Sequence, residues 1–186
     1  MKPAFTKWGI PLLLAVGFAW LTSRGVGGPK FMRLPVGSGM APAWTMPDLE
    51  GRPVASTNFA GQVVLLNFWA TWCPPCLAEI PDLKAFQAAH AQEGFTVIGA
   101  AVNEEGAAVV KPFVQRNQLN YPVLLAGPDV QMLFGGVPLD PTRPTGFPLP
   151  TTFVIGRDGR LVAHYLGALS RAELDKVILP LLARRP

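Results

Sequence analysis

The chain has 186 residues, of which 49% are hydrophobic and 15% are charged. This length suits about one domain of ordinary size, and the hydrophobic content excludes a disordered chain. The net charge of +4 originates at the N-terminus, because residues 1–33 contain five bases and no acid, whereas residues 34–186 contain 11 bases and 12 acids. The nearly neutral body lacks the basic patch that nucleic-acid binding requires, so no nucleic-acid partner is predicted.

Residues 1–24 have the pattern of a segment that enters a membrane. Sixteen uncharged residues, 8–23, lie between Lys7 and Arg24, which is typical of a signal peptide or of a short membrane anchor. A helix of that length rises about 24 Å and spans the roughly 30 Å hydrocarbon core only if the flanking bases snorkel. No clear cleavage site follows, so an uncleaved anchor is favoured over a cleaved signal peptide. Residues 25–39, rich in Gly and Pro, are predicted to be a linker to a folded domain at residues 40–186.

The body alternates apolar runs of strand length with segments of helical spacing. A short strand is predicted at residues 43–46, and residues 49–54 are predicted to form a turn into another strand. Further strands are predicted at residues 62–69, 95–102, 122–125, 152–156 and 161–166. Helices are predicted at residues 73–90, 107–117 and 130–134, and from Ser170 to about residue 183. This alternation predicts an α/β fold with a mixed sheet covered by helices on both faces and the most apolar strand, 62–69, at its centre.

Several local expectations accompany these elements. Pro112 should kink its helix or mark a late start, and Ser170 with Glu173 should form a capping box. The Pro- and Gly-rich residues 135–150 are predicted to be a loop, and Asp158 with Gly159 should form a hairpin turn. One side of the helix at 73–90 should be buried, and the residues on that side are Leu77, Ile80, Leu83, Phe86 and Gln87.

Only two cysteines occur, Cys73 and Cys76, in the sequence WCPPC at the junction of the central strand and the first long helix. A zinc site would need two more ligands, and the only histidines, His90 and His164, are far apart in the sequence. A structural disulfide is unfavourable here because the stabilisation by a disulfide grows with the length of the loop that it closes. A redox-active pair is the interpretation that the position favours, since CxxC after a strand in a βαβ pattern is typical of thioredoxin-like enzymes.

The position of the pair suggests a role for each cysteine. The unpaired N–H groups and the dipole at a helix N-terminus stabilise an anion, so Cys73 should be the nucleophilic thiolate. Pro74 and Pro75 occupy the first turn, where a missing N–H is tolerated. Cys76, one turn into the helix, should be buried and should attack Cys73 to resolve a mixed disulfide.

Two segments of this sequence resemble extracytoplasmic thioredoxins of the TlpA/ResA/DsbE type. The first is NFWATWCPPC at residues 67–76, followed by Pro81, and the second is LPTTFVI at residues 149–155, followed by Asp158 and Gly159. The similarity extends over about residues 40–183. It implies a thioredoxin fold with an N-terminal strand pair, and a cis peptide bond between Leu149 and Pro150 that lies against the cysteines.

The resemblance also implies the site and its partners. The groove for an extended substrate is predicted to include Trp72, Pro74, Pro75, Leu149, Pro150 and Thr151. No metal or organic cofactor is expected. The expected partners are client proteins that contain disulfides and a thiol electron donor in the membrane, and a monomer is expected.

Asn67 raises the question of which group accepts the proton of Cys76. General thioredoxins have a buried acid at this position, and proteins of the resembled type often lack it. In that type an acid after the next strand approaches the site, so Glu104 and Glu105 are the candidates for a proton relay, with Glu105 favoured. The alternative is that both glutamates are solvated surface charges. Trp72 is predicted to be a partly exposed contact residue, whereas Trp69 packs in the core.

The predicted function is therefore that of a thiol–disulfide oxidoreductase in the bacterial cell envelope, tethered to the inner membrane or released into the periplasm if the signal is cleaved. It is expected to reduce client disulfides. Cytochrome c maturation is one candidate pathway, although Thr151 replaces an acid that DsbE-type proteins tend to have there. The Pro-rich segment 135–147 is longer than the connection usual in ResA-like proteins, and it is expected either to select a partner at the groove or to cover the edge of the fold. A thiol peroxidase and a non-catalytic client-binding module are the alternative functions.

Overall fold

A computed structural model describes residues 32–34, 39–103, 105–135 and 148–184. The predicted membrane segment at residues 1–24, Glu104 and nearly all of the Pro-rich residues 135–147 lie outside these ranges. Among the described residues, no helix combines the length and the apolar character that crossing a membrane requires.

The described chain forms a mixed six-stranded sheet, a separate two-stranded sheet and four α-helices. The strands are β1 (Met32–Leu34), β2 (Thr45–Pro47), β3 (Pro53–Ala55), β4 (Val63–Trp69), β5 (Phe95–Ala101), β6 (Val123–Leu125), β7 (Thr151–Ile155) and β8 (Leu161–Leu166). The helices are α1 (Pro74–His90), α2 (Ala107–Asn117), α3 (Pro128–Gly135) and α4 (Arg171–Leu182). Strands β2 and β3 pair with each other and form the N-terminal strand pair that the resemblance implies.

The large sheet has the order β1-β8-β7-β4-β5-β6. Strand β4 is parallel to β5 and antiparallel to β7, and every residue of β4 is buried. The mixed sheet and the central position of this strand are thus confirmed. A strand that is covered on both faces needs apolar side chains in both directions, which explains its continuous run of Val, Leu and aromatic residues.

Helices cover both faces of this sheet. Because side chains alternate along a strand, Asn67 and Trp69 lie on one face and Phe68 on the other. Trp69 packs against Phe113 of α2 with ring centroids 5.2 Å apart. Phe68 packs against Phe134 of α3, at 5.6 Å between centroids.

Three local expectations need correction. Leu77, predicted to be buried on α1, is 36% exposed, whereas Glu79 is buried. Helix α2 begins at Ala107 and continues through Pro112, so this proline does not mark a late start.

The predicted capping box at the start of α4 is also wrong, because the Ser170 side chain makes no capping hydrogen bond. A carboxylate oxygen of Asp82 on α1 accepts from the Arg171 N–H at 3.0 Å instead. The first turn of α4 therefore has a partner from another helix, which local sequence does not indicate.

Strand β1 lies within the segment that the sequence predicts to be a linker. Met32 pairs with Leu166 and Leu34 with His164 at the edge of the sheet. At the next strand Leu166 pairs with Thr151, which in turn pairs with Phe68. Met32 is therefore at the same end of the sheet as the connection from β4 to α1.

Candidate active site

The two cysteines form a disulfide at the C-terminal end of the central strand. Strand β4 ends at Trp69, and Cys73 is the N-cap residue of α1, with Pro74 and Pro75 in the first turn. The Cys76 N–H donates to the sulfur of Cys73 at 3.4 Å. The sulfur of Cys73 thus lies at the helix N-terminus, where backbone N–H groups stabilise a negative charge.

The two cysteines differ in position more than in exposure. Cys73 is 4% exposed and Cys76 is 1% exposed, as predicted for a resolving thiol one turn into the helix. Trp72, directly before the pair, is 60% exposed, whereas Trp69 is buried. The expected exposure of both tryptophans is therefore confirmed.

The loop before β7 lies next to the end of β4. The peptide bond between Leu149 and Pro150 is cis, as the resemblance implies. The Pro150 carbonyl accepts from the Gly167 N–H at 2.8 Å, and the buried Thr151 donates from its hydroxyl to the Pro148 carbonyl. Since Thr151 pairs with Phe68, this loop lies beside the strand end that leads to Cys73.

Asn103 holds the connection that carries the first cysteine. Its side-chain oxygen accepts from the Thr71 N–H at 3.1 Å, and its amide nitrogen donates to the Thr71 hydroxyl at 2.7 Å. Asn103 is buried and follows β5, the neighbour of β4. The end of one strand therefore fixes the connection that leaves the next strand, a role that the sequence analysis did not assign.

Glu79 is a buried carboxylate on the disulfide helix itself. It lies three residues after Cys76 on α1, so both side chains project from nearly the same side of the helix. One oxygen of Glu79 accepts from the Asn67 side-chain amide at 2.8 Å, and the other accepts from the Leu169 N–H at 2.9 Å.

The pKa of Glu79 reflects two opposing influences. Burial raises it, while the hydrogen bonds from Leu169 and then Asn67 lower it, and the resulting pKa is about 7. An acid with this pKa exchanges protons readily near neutral pH, as an acid–base group for a thiol must.

Of the two predicted relay residues, Glu105 is exposed in the turn before α2, and Glu104 lies outside the described residues. Glu79 lies inside a helix and not at a strand end, so the family pattern of an acid after the next strand does not indicate it. The spacing of three residues from Cys76 could have indicated it, since residues three apart on a helix are neighbours.

Asn67 and Thr152 complete the buried polar group around this acid. The same Asn67 amide nitrogen that donates to Glu79 also donates to the Thr152 hydroxyl at 3.0 Å. Tyr121, before β6, is also buried, and its pKa is raised by burial and by the charge of Glu79. Glu79 is the acidic member of this cluster.

In the described part of the chain, no three His, Cys, Asp or Glu side chains come together in a group that could hold a metal ion. The chemistry available to the Cys73–Cys76 pair is thiol–disulfide exchange.

Comparison with known proteins agrees with this geometry. The model of the AhpC/TSA family matches residues 38–164. The thiol-disulfide oxidoreductase ResA of Bacillus thuringiensis subsp. konkukian is 31% identical over 139 residues, which are 74% of this chain and 74% of that protein.

Two solved structures share the fold over nearly their whole length. A thiol:disulfide interchange protein of the thioredoxin family from Chlorobium tepidum TLS has a TM-score of 0.67 and 33% identity, and the match covers 80% of this chain and 99% of that chain. A secreted thiol-disulfide isomerase from Corynebacterium glutamicum has a TM-score of 0.68 and 28% identity, with 87% and 96% covered. The chain therefore belongs to the AhpC/TSA family, has a thioredoxin-like fold and is a thiol–disulfide oxidoreductase of the ResA/DsbE-like type.

Proposed function

We propose that the protein reduces disulfides of client proteins in the cell envelope through Cys73 and Cys76. The Cys73 thiolate attacks one sulfur of a client disulfide, so a mixed disulfide forms and one client thiolate leaves. The Cys76 thiolate then attacks the sulfur of Cys73, which releases the second client thiolate and forms the Cys73–Cys76 disulfide. Two electrons pass to the client, and a dithiol donor returns the pair to the reduced form by the reverse steps.

The single observation that supports this proposal most strongly is the place of the Cys73 sulfur at the N-terminus of α1. It accepts the Cys76 N–H, and its helix terminus favours the thiolate form. Cys76 lies three residues further along the helix and does not occupy its N-terminus. This asymmetry supports Cys73 as nucleophile and Cys76 as resolving residue.

Glu79 is the proposed proton acceptor for Cys76, in place of Glu104 and Glu105. Cys76 must lose its thiol proton before it attacks Cys73, and the thiolate is poorly solvated where Cys76 is buried. Glu79 is equally enclosed on the next turn, and its pKa of about 7 lets it take that proton near neutral pH.

The client groove is proposed to lie between the disulfide and the loop that precedes β7. Trp72 and Pro74 are exposed, Pro75 and Leu149 are half-buried, and Pro150 is buried. A rigid exposed aromatic residue next to the nucleophile suits a protein contact. Thr151 directs its hydroxyl to the backbone and contributes to this groove through the position of its chain.

The proposed location rests on the N-terminal sequence, and the proposed partners rest on the resemblance to extracytoplasmic thioredoxins. Residues 1–24 are proposed to tether the domain to the outer face of the inner membrane, or to be removed after export. A membrane thiol donor would then re-reduce the pair, and the protein would act as a monomer. Cytochrome c maturation is one client pathway within this proposal.

Trapping of the mixed disulfide tests the proposed function. The Cys76→Ala variant of the full chain, expressed in its native cell envelope, should accumulate mixed disulfides on Cys73, because the resolving thiol is missing. The Cys73→Ala/Cys76→Ala double variant is the control and should accumulate none. Equal trapping by the Cys73→Ala single variant would contradict the assignment of the nucleophile.

A further inference from the structure

Asn67 makes two hydrogen bonds that the proposed exchange reaction does not explain. Its amide nitrogen donates one hydrogen to Glu79 at 2.8 Å and the other to the Thr152 hydroxyl at 3.0 Å. All three side chains are buried, with Asn67 on β4, Thr152 on β7 and Glu79 on α1. The amide nitrogen thus has both of its hydrogens in use, which fixes the amide plane.

The Glu79 carboxylate is surrounded by donors. One oxygen faces Asn67 and the other faces the Leu169 N–H at 2.9 Å. A side-chain amide nitrogen and a backbone N–H donate without accepting, so both contacts favour the ionised carboxylate over the protonated acid.

We propose that Asn67 is a positioning residue for the exchange reaction: it orients the Glu79 carboxylate, one helical turn after Cys76, and keeps it ionised enough to accept the Cys76 proton. Thr152 acts indirectly: its hydroxyl accepts from the Asn67 amide and so orients the amide that holds Glu79. This inference rests on the proposed role of Glu79 as the base for Cys76.

The identity of residue 67 is decisive in this arrangement. An aspartate there would place a second carboxylate at about the hydrogen-bond distance from Glu79, and two such groups share one proton. An amide of the same size and shape supplies a donor and leaves Glu79 as the sole acid of the cluster. Asparagine is therefore the residue that makes Glu79 usable as a base.

Other ionisable groups around Glu79 do not account for this effect. Cys76 precedes it by one turn of α1, and the Asp82 carboxylate, one turn later, accepts from the Arg171 N–H. Tyr121 stays protonated over the neutral range because its pKa is raised.

The release of a small thiol tests the proposal. The reduced full chain is mixed with 5,5′-dithiobis(2-nitrobenzoate) in stopped flow, and the second thionitrobenzoate release reports the attack of Cys76 on Cys73. In the wild type the rate of this step should rise with pH through the pKa of Glu79, about 7. We call this rise in rate near pH 7 the pH limb. Glu79→Gln should remove it and leave only the rise at higher pH that comes from ionisation of the thiol itself.

Substitution of Asn67 should move the midpoint of the pH limb to higher pH without removing the limb. Asn67→Leu deletes one donor to a charged acceptor, so the limb should move up by about one pH unit. At pH 7 the ionised fraction would fall from about one half to about one tenth, a loss of about fivefold in rate that is recovered at higher pH. Asn67→Asp should move the limb further in the same direction.

Control variants distinguish a shift of the pH limb, which a positioning role predicts, from a general loss of stability. Gln87 is another buried amide on the same helix as Glu79. Its oxygen accepts from the Val97 N–H of β5 at 2.7 Å. Gln87→Leu should lower stability and leave the pH limb in place. Thr152→Val should shift the limb less than Asn67→Leu, and Thr152→Ser, which keeps the hydroxyl, should not shift it.

The outcomes are distinct. An unchanged limb in a folded Asn67→Leu protein, or a rate lowered equally at every pH, would overturn the positioning role. If Asn67→Leu does not fold, the nearly isosteric Asn67→Asp decides in the same way. If the rise in rate near pH 7 survives Glu79→Gln, both this inference and the proposed relay are overturned. The exchange by Cys73 and Cys76 would still stand if the second release requires Cys76.

Discussion

A single buried carboxyl group, Glu79, links the stability of this protein to the pH of its surroundings. Burial raises the pKa of Glu79 from 4.5 to about 7, against the hydrogen bonds from Leu169 and Asn67. Below pH 4.5 the group is protonated in both the folded and the unfolded chain. Between these two values the unfolded chain loses the proton and the folded chain retains it, so stability falls as pH rises.

This linkage predicts a measurable loss of stability. The free energy of unfolding of the oxidised protein should decrease by about 3 kcal/mol between pH 4.5 and about 7 through this group, and no further above. Glu79→Gln has no proton to release and should lack this contribution. Chemical denaturation of both proteins across this range measures the difference, and parallel pH profiles would show that Glu79 has an ordinary pKa.

At the scale of elements, the connection from β4 to α1 depends on the end of β5. Asn103 accepts from the Thr71 N–H and donates to its hydroxyl, and both residues are at least half-buried. Asn103→Ala leaves these Thr71 groups without partners. The free energy of unfolding should therefore fall by about 2 kcal/mol.

Asn117 provides the matched comparison for Asn103. It is exposed, and its amide donates to the Phe113 carbonyl at 2.9 Å within α2. Asn117→Ala should change the free energy of unfolding by less than about 0.5 kcal/mol, because such surface contacts exchange with water. Equal losses for the two variants in chemical denaturation would show that Asn103 does not hold the connection.

The elements were predictable where local pattern determines them. The apolar runs of β4 and β5 and the helical spacing of α1 and α2 indicate burial and period directly, and each lies within two residues of its predicted bounds. The burial of Glu79 in place of Leu77 was not predictable from hydrophobicity, because it depends on Asn67 and Leu169, which lie 12 and 90 residues away. The capping of α4 by Asp82 is non-local in the same way.

The site shows the same division between local and distant determinants. The roles of Cys73 and Cys76 follow from their position at a helix start. The pairing of β1 with β8 and the hydrogen bonds between Asn103 and Thr71 join distant parts of the chain, so no local motif indicates them.

At the scale of the whole molecule, the chain enters the sheet at the end that carries the disulfide. Met32 of β1 is aligned with Leu166, Thr151 and Phe68 across the strands. Met32 is only eight positions after Arg24, which follows the apolar N-terminal run, and eight residue steps span at most about 28 Å. If residues 1–24 anchor the chain, the redox end of the sheet lies near the membrane surface.

Spin labels measure this orientation. The full chain is reconstituted in vesicles that contain nickel-chelating lipids, with a label on Cys73 in Cys76→Ala or on Asp158→Cys in a chain without the native cysteines. Asp158 lies in the turn between β7 and β8, at the other end of the sheet. Nickel should relax the label on Cys73 more strongly, and stronger relaxation at position 158 would contradict the orientation. A protein that does not bind vesicles would instead contradict the anchor.

The central claim is that Cys73 attacks the client and Cys76 resolves the mixed disulfide. The most direct measurement is the rate at which the pre-reduced full chain reduces a protein disulfide, compared among the wild type, Cys73→Ser and Cys76→Ser. The account predicts no reduction by Cys73→Ser, and a single stoichiometric mixed disulfide without turnover for Cys76→Ser. Reduction by Cys73→Ser at the wild-type rate would contradict it.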